Sequence, residues 1–190
     1  DGVRTRHTYS MLMDWREGAL EKTETFNSSG SLARTIINTY SQRPATLGTC
    51  YQYYRNCARD MNLARLATST LTENGNSYYL QHLAYNSYGH PTQTRRWNNF
   101  SSDDATETRT YLNDTALWVI GQQASLSIGP TSVSATTFNP LAQPLTQTNF
   151  GLLQSSLAYH ADGQLSSQTD ALSRATGFTN YHRGQPRLIS

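Results

Sequence analysis

The fold is decided by the stretch Tyr159-His160-Ala161-Asp162-Gly163-Gln164-Leu165-Ser166, in which an aromatic residue is followed by a short polar turn and a β-prone run. Gly163 supplies the positive φ that a tight chain reversal needs, and Asp162 beside it tolerates the same backbone region. In the residues before the turn, 153–159, Leu, Ser, Leu and Tyr occupy alternate positions, which indicates a strand. The stretch therefore predicts a β-hairpin.

The same order of residues recurs along the chain. The aromatic anchors are spaced by 26, 27, 21 and 22 residues, and they are Tyr85, Tyr111, Phe138, Tyr159 and Tyr181. Gly89 and Gly184 follow their anchors as Gly163 does, a weaker copy covers 26–32, and the copy at Tyr111 replaces the glycine turn. Two strands of about 7–8 residues with two turns fill such a spacing, so each repeat predicts one hairpin.

The repeats also predict the organisation of the chain. Because a hairpin cannot bury its apolar face alone, successive hairpins stack edge to edge into one long antiparallel sheet, with matching Tyr and Leu residues in ladders along one face. We expect an all-β fold with hairpin repeats over 75–190, the last repeat incomplete, and a β-rich N-terminal region of weak repeat character over 1–74. Helical periodicity is confined to 11–20 and 57–66, and the second segment equally fits a turn followed by a strand.

The composition agrees with a sheet that has wetted faces. Of 190 residues, 70 are Thr, Ser, Asn or Gln, whereas apolar residues make up 36% and charged residues 15%. A net charge of +2 and 12 Tyr, 5 Phe and 3 Trp argue against a disordered chain. No apolar run is long enough to span a membrane. The 14 Arg are scattered and stand beside a single lysine, Lys22, so no nucleic-acid partner is predicted.

Residue types that serve as catalytic or metal-binding groups in other proteins have structural explanations in this chain. The chain has no nucleophile elbow, His-Glu-x-x-His motif or phosphate loop, so we predict no catalytic, metal or cofactor-binding residues and no enzyme activity. Asp103 and Asp104 fit a solvated loop, and Trp118 fits packing on a sheet face better than a platform for sugars. His160 and His182 follow their anchors at equivalent repeat positions, which favours a role in the turns.

Two cysteines, Cys50 and Cys57, lie seven positions apart among three tyrosines. Two thiols are too few for a tetrahedral zinc site, and no histidine pair lies nearby to complete one. The pair is either a local disulfide of an exported protein or two buried thiols.

The repeats resemble the Rhs/YD-repeat family, which is named for a Tyr-Asp dipeptide in a Tyr-Asp-x-x-Gly-Arg-Leu-Thr pattern. Here Asn86, Asn139, His160 and His182 replace the Asp of that dipeptide. Residues 170–176 match the family's Asp-Ala-Leu-Gly-Arg-x-Thr linker except at Ser173, and residues 110–122 resemble a segment of bacterial members. The resemblance covers about residues 75 to 190 and is weaker before residue 75.

The resemblance implies a long curved or spiralling sheet that forms part of a hollow β-shell. In the family such shells enclose a toxic polypeptide and belong to secreted bacterial toxins, and related arrays occur at cell surfaces. We therefore expect a secreted or cell-surface bacterial protein whose partners are the rest of a longer polypeptide, or other copies joined through open strand edges, and an enclosed toxin cargo. The family's Asp-Pro-rich core that precedes the cargo does not occur in this chain, and the last repeat stops after its first strand.

Three functions follow from these expectations. The first is a non-enzymatic wall segment of a shell that encloses and helps to deliver a toxin polypeptide. The second is a self-assembling extracellular fibre or tube, completed by neighbouring copies. The third is a module that binds carbohydrate or a cell surface. A shell needs further repeats in the same polypeptide, a fibre needs only copies of this chain, and a binding module needs a saturable ligand.

Overall fold

The computed structural model describes residues 2–12, 15–42 and 64–190, and these residues form fourteen β-strands. The strands are β1 (Arg4–Tyr9), β2 (Leu20–Phe26), β3 (Leu32–Gln42), β4 (Ala64–Glu73), β5 (Asn76–Tyr85), β6 (Pro91–Asn98), β7 (Asp104–Asp114), β8 (Val119–Ile128), β9 (Thr131–Phe138), β10 (Pro144–Asn149), β11 (Leu152–Tyr159), β12 (Leu165–Asp170), β13 (Ala175–His182) and β14 (Gln185–Ile189).

The strands follow one another in a single sheet whose strand order is the order of the chain. Neighbours pair antiparallel, as where Thr68 of β4 lies opposite Gln81 of β5. The all-β class and the array of antiparallel hairpins are thus confirmed. Among the described residues there is no helix, so the helical reading of 11–20 is wrong: Trp15–Gly18 form a turn and Leu20 opens β2. A helix long and apolar enough to cross a membrane is therefore also absent from the described residues.

The contacts between residues divide the chain into two compact units, Asp1–Thr106 and Glu107–Ser190. The division predicted at residue 74 follows the strength of the repeat pattern, which is a different property from compactness, and it stays a prediction.

The sheet has almost no dry core. In the described part of the chain, Ala142 is the only hydrophobic residue that is buried, whereas Ser10, Glu24, Thr94 and Ser155 are buried polar residues. Facing hydroxyls join neighbouring strands, as between Thr39 and Thr68 (2.6 Å), Thr110 and Ser125 (2.6 Å), and Thr137 and Thr146 (2.6 Å). Cross-strand hydroxyl pairs of this kind stabilise a sheet whose faces stay in contact with water. The wetted faces expected from the composition are present.

The strand register shifts beside the aromatic anchors. On the strand opposite Tyr40, Tyr85, Tyr111 and Tyr159, one extra residue interrupts the ladder. Such a β-bulge bends the strand and re-aims the side chain at that position. Each of these aromatic residues therefore lies opposite a bulge in the neighbouring strand.

Candidate functional site

The candidate site is a five-residue turn that recurs through the chain. Its five copies are residues 27–31, 86–90, 139–143, 160–164 and 170–174. In every copy the backbone N–H of the first residue donates to the carbonyl of the fifth, and the N–H of the fourth donates to the carbonyl of the first, at 2.8–3.0 Å. Because the same two bonds close every copy, the chain reverses in the same way each time.

A side chain at the first position fixes four of the five turns. The Oδ1 atom of Asn139 accepts hydrogen bonds from the backbone N–H groups of Leu141 (2.9 Å) and Gln143 (3.0 Å). Asn27, Asn86 and Asp170 accept from the third and fifth residues of their own turns in the same way. Asn and Asp suit this position because their short side chains reach the backbone two residues further on.

The turn at 160–164 is held by different side-chain hydrogen bonds. Asp162 Oδ1 accepts the backbone N–H of Gln164 (3.1 Å), while His160 Nε2 lies 2.9 Å from the carbonyl oxygen of Phe178 in β13. The ring of His160 also meets Tyr181 edge-on, with 6.1 Å between the ring centroids. His160 is therefore the first residue of a turn, and its ring links that turn to the next hairpin.

The fourth position of each turn has a positive φ. Gly30, Gly89 and Gly163 take φ of 80°, 89° and 84°, whereas Ala142 and Ser173 take 60° and 62°. An L-residue pays a steric cost in this region and glycine does not. Gly89 and Gly163 thus occupy the position of their turns at which a positive φ is needed.

Consecutive turns are joined by a glutamine side chain. Gln143 Nε2 donates to the carbonyl of Gly163 at 2.7 Å, and Gln143 Oε1 accepts from Asn139 Nδ2 at 2.9 Å. The turn at 139–143 is in this way bonded directly to the turn at 160–164, one repeat later.

In four hairpins a tyrosine hydroxyl bonds to a backbone carbonyl of the preceding strand, and we call this bond the tyrosine latch. The hydroxyl of Tyr159 donates to the carbonyl of Pro144 (2.8 Å), the first residue of the preceding strand, and Tyr181 donates to Leu165 (2.6 Å) in the same relation. Tyr40 bonds to the carbonyl of Leu20 (2.9 Å), and Tyr85 bonds to that of Leu66. Burial raises the pKa of the Tyr40, Tyr85 and Tyr159 hydroxyls, because it disfavours the charged phenolate.

Most predicted anchors lie where the repeat requires them. Tyr85, Phe138 and Tyr159 are the last residues of β5, β9 and β11, and Tyr111 lies near the end of β7. Alternate strands therefore carry one anchor each, which is the hairpin spacing that the sequence predicts.

The last predicted copy has a different turn. Arg183 and Gly184 form a two-residue reversal with φ of 51° and 78°, and His182 is the last residue of β13, opposite Gln185. Two positive φ values in succession are typical of a type I′ hairpin turn. The equivalence of His182 with His160 is therefore wrong, although Tyr181 makes the same latch as Tyr159.

Trp118 does not pack on a sheet face. It lies in the turn between β7 and β8 with φ of 54°, and 86% of its surface is exposed. Asp114 Oδ1 holds that turn by accepting the N–H groups of Ala116 (2.9 Å) and Leu117 (3.0 Å). The packing prediction is wrong because the β7–β8 turn runs through residues 115–118, so that Trp118 belongs to the reversal and β8 begins only at Val119.

Sequence reasoning missed two members of the pattern. Residues 170–174 form the same turn without an aromatic anchor, and backbone and side-chain hydrogen bonds from Arg174 lower the pKa of Asp170. Tyr40 is a latch residue, and the signal for it is an aromatic at the end of the β-run that follows the 26–32 copy. Cys50 and Cys57 lie outside the described residues.

The acidic pair is divided between a loop and a strand. Asp103 accepts the hydroxyl of Ser101 at 2.7 Å in the solvated loop that the sequence predicts, but Asp104 opens β7 and forms an ion pair with Arg95. Hydrogen bonding to Arg95 lowers the pKa of Asp104. No group of three or more metal-ligating side chains occurs among the described residues.

A pocket of about 470 Å³ lies on β4–β6 and the start of β7, within the first unit. Leu71 and Tyr78 lie opposite each other in the β4–β5 ladder, Leu80 lies two residues further along β5, and all three line the pocket. Tyr78 is 44% exposed and meets Phe100 edge-on at 5.2 Å. The lining is completed by Ser69, Tyr79, Arg96, Trp97, Asn98, Asp103, Asp104 and Ala105.

Comparison with known proteins yields likeness of structure alone. No protein-family model matches the chain, and neither does any curated protein. The chain is similar to the Tc holotoxin pore of Photorhabdus luminescens and to the TcdB2–TccC3–Cdc42 complex, each with 11% identity, 97% of this chain covered and a TM-score of 0.44. It spans 12% of the length of each of those chains.

Proposed function

We propose that this chain is a non-enzymatic wall segment of a Rhs/YD-type shell, which encloses a toxin polypeptide and helps to deliver it. The observation that carries the proposal is the five-residue turn, repeated with the same two backbone bonds in five places. The same turn closes five of the chain's reversals, and antiparallel strands joined by such turns extend one sheet, which is what a wall is built from.

The polarity of the sheet supports a wall rather than a packed domain. A domain with one dry core buries the apolar face of its sheet, whereas the described residues of this chain bury a single hydrophobic side chain, Ala142. Both faces of a shell wall meet water or cargo, so hydroxyl pairs and ion pairs such as Arg6–Glu24 (2.5 Å) are suited to them. The interior partner would be a polypeptide, and the setting would be a secreted bacterial toxin.

The turn-to-turn bond offers a test of this function. Replacing Gly163 with Val in the native polypeptide places a side chain against Gln143 and weakens the bond between two consecutive turns. Replacing the neighbouring Ala161, which is exposed and has no positive φ, with Val adds the same side chain without that strain.

The readout is protease protection of the enclosed polypeptide in the native particle. We expect a protected fragment in the wild type and in Ala161→Val, and its digestion in Gly163→Val at the same protease concentration. If the native particle protects no polypeptide beyond the wall itself, the proposed function is wrong.

A further inference from the structure

We infer that the pocket on β4–β6 receives an aromatic side chain from a second copy of this chain, and that this side chain is Trp118. The inference is independent of the proposed wall, because it concerns contacts between copies and not the enclosure of a cargo.

The pocket is suited to a neutral ring. Leu71, Tyr78 and Leu80 supply apolar surface, and a pocket of about 470 Å³ falls in the range of sites that hold small ligands. The exposed edge of the Tyr78–Phe100 pair can meet a further ring edge-on or offset, which are the arrangements that aromatic pairs prefer.

Two polar groups that line the pocket, the side chains of Asn98 and Asp104, already have partners. Asn98 Oδ1 accepts the backbone N–H groups of Phe100 (3.0 Å) and Ser101 (2.7 Å), and its Nδ2 donates to the Ser101 hydroxyl (2.8 Å). The carboxylate of Asp104, the first residue of β7, is paired with Arg95 of β6. These bonds leave the apolar floor as the main surface that the pocket offers.

Trp118 is an exposed side chain that can insert into such a pocket, and we call it the knob. It is 86% exposed, the largest exposed fraction among the aromatic residues of the described chain, and it is held at φ of 54°. The bonds from Asp114 to Ala116 and Leu117 fix the turn that presents it. A bulky residue at positive φ with no burial in its own chain is a strained feature, and strain of this kind concentrates at contact sites.

The two surfaces offer a matching hydrogen-bond donor and acceptor. The indole N–H of Trp118 is a donor with no acceptor function, and the Asp103 carboxylate that lines the pocket is an acceptor. Asp103 uses Oδ2 to accept the Ser101 hydroxyl at 2.7 Å. An indole seated on Leu71 and Leu80 with its N–H toward Asp103 satisfies both groups.

The contact is heterologous and weak. Each copy carries one knob and one pocket at different places on its surface, so insertion joins copies head to tail. A tryptophan side chain buries about 150–250 Å², well below the roughly 1,000 Å² of a stable interface. Association should therefore depend strongly on protein concentration.

The test is sedimentation equilibrium of the chain and its variants, after circular dichroism has shown that each is folded. Trp118→Ser removes the knob, and Leu80→Arg blocks the pocket. Tyr78→Ala opens the pocket at an exposed residue, in case Leu80→Arg does not fold. Phe150→Ser is the matched control, because Phe150 is also an exposed aromatic at positive φ (69% exposed, φ 50°).

We expect Trp118→Ser and Tyr78→Ala each to weaken association at least tenfold, and Phe150→Ser to leave it unchanged. A mixture of Trp118→Ser with Leu80→Arg should form a one-to-one heterodimer, because one variant keeps the pocket and the other keeps the knob. Association that is equal in all variants would mean pairing through strand edges and would overturn the inference. A wild type that stays monomeric at millimolar concentration, or a mixture that forms no heterodimer, would also overturn it.

Discussion

Gly163→Val perturbs the repeated turn at its most constrained position. Gly163 has φ of 84°, and a Cβ atom there would lie 3.3 Å from Gln143 Nε2, closer than ordinary contact. A β-branched side chain opposes a positive φ more than other side chains do. The substitution therefore strains the turn and pushes away the amide that joins it to the preceding repeat.

The loss of stability can be worked from three contributions. Placing an L-residue in the left-handed region costs about 1–2 kcal/mol. Loss of the 2.7 Å bond from Gln143 to the carbonyl of Gly163 costs about 1 kcal/mol. Valine also has less conformational freedom than glycine in the unfolded chain, which offsets about 0.4–1 kcal/mol of this loss. We expect a net loss of about 2 kcal/mol in the free energy of unfolding, which in a chain of this length lowers Tm by about 4–8 °C.

Two assays measure the effect. Thermal unfolding followed by circular dichroism gives the change in Tm, and hydrogen exchange at residues 160–164 locates it, since repeat arrays open locally. Ala161→Val is the control and should change Tm by less than about 2 °C, because an exposed substitution without strain has little effect on stability. An unchanged Tm and unchanged exchange in Gly163→Val would refute the register of the repeat.

Further predictions concern the latch, the turn and alkaline pH. Tyr159→Phe removes the hydroxyl bond to Pro144 and should cost about 1 kcal/mol in urea unfolding, and an unchanged midpoint would show that the latch is not stabilising. Ser173→Gly relieves a positive φ of 62° and should raise the free energy of unfolding by up to about 1 kcal/mol; a loss of stability would contradict the strain. Because the pKa values of Tyr40, Tyr85 and Tyr159 are raised by burial, the unfolded chain releases these protons at a lower pH than the folded chain. Stability should be unaffected by these groups below about pH 10 and fall as pH rises above it, and Tyr→Phe replacement at the three positions should reduce that fall.

The sequence predicts the strands and most of the turns because their determinants are local. An anchor such as Tyr159 followed by a positive-φ glycine four residues later specifies both the strand end and the reversal, and these features need no knowledge of the rest of the fold. The same locality explains the error at His182, where Arg183-Gly184 is itself a favoured two-residue turn that competes with the longer one.

The hydrogen bonds between repeats could not be predicted from the sequence. The latch from Tyr159 to Pro144 spans 15 residues and depends on how β11 lies against β10, which the alternation of side chains does not reveal. The bond from Gln143 to Gly163 joins two turns separated by 20 residues and depends on the final register of the sheet. Trp118 was misplaced for a related reason, since apolar residues on both sides of it extend the β-prone run into the turn.

The most direct measurement of the central claim is a cryo-electron microscopy reconstruction of the native particle that contains this chain. The account predicts a wall in which the turns at 139–143 and 160–164 lie one repeat apart, and density of another polypeptide inside the enclosed space. A filament that repeats with one 21.3 kDa copy, or a particle with no enclosed space, would contradict it.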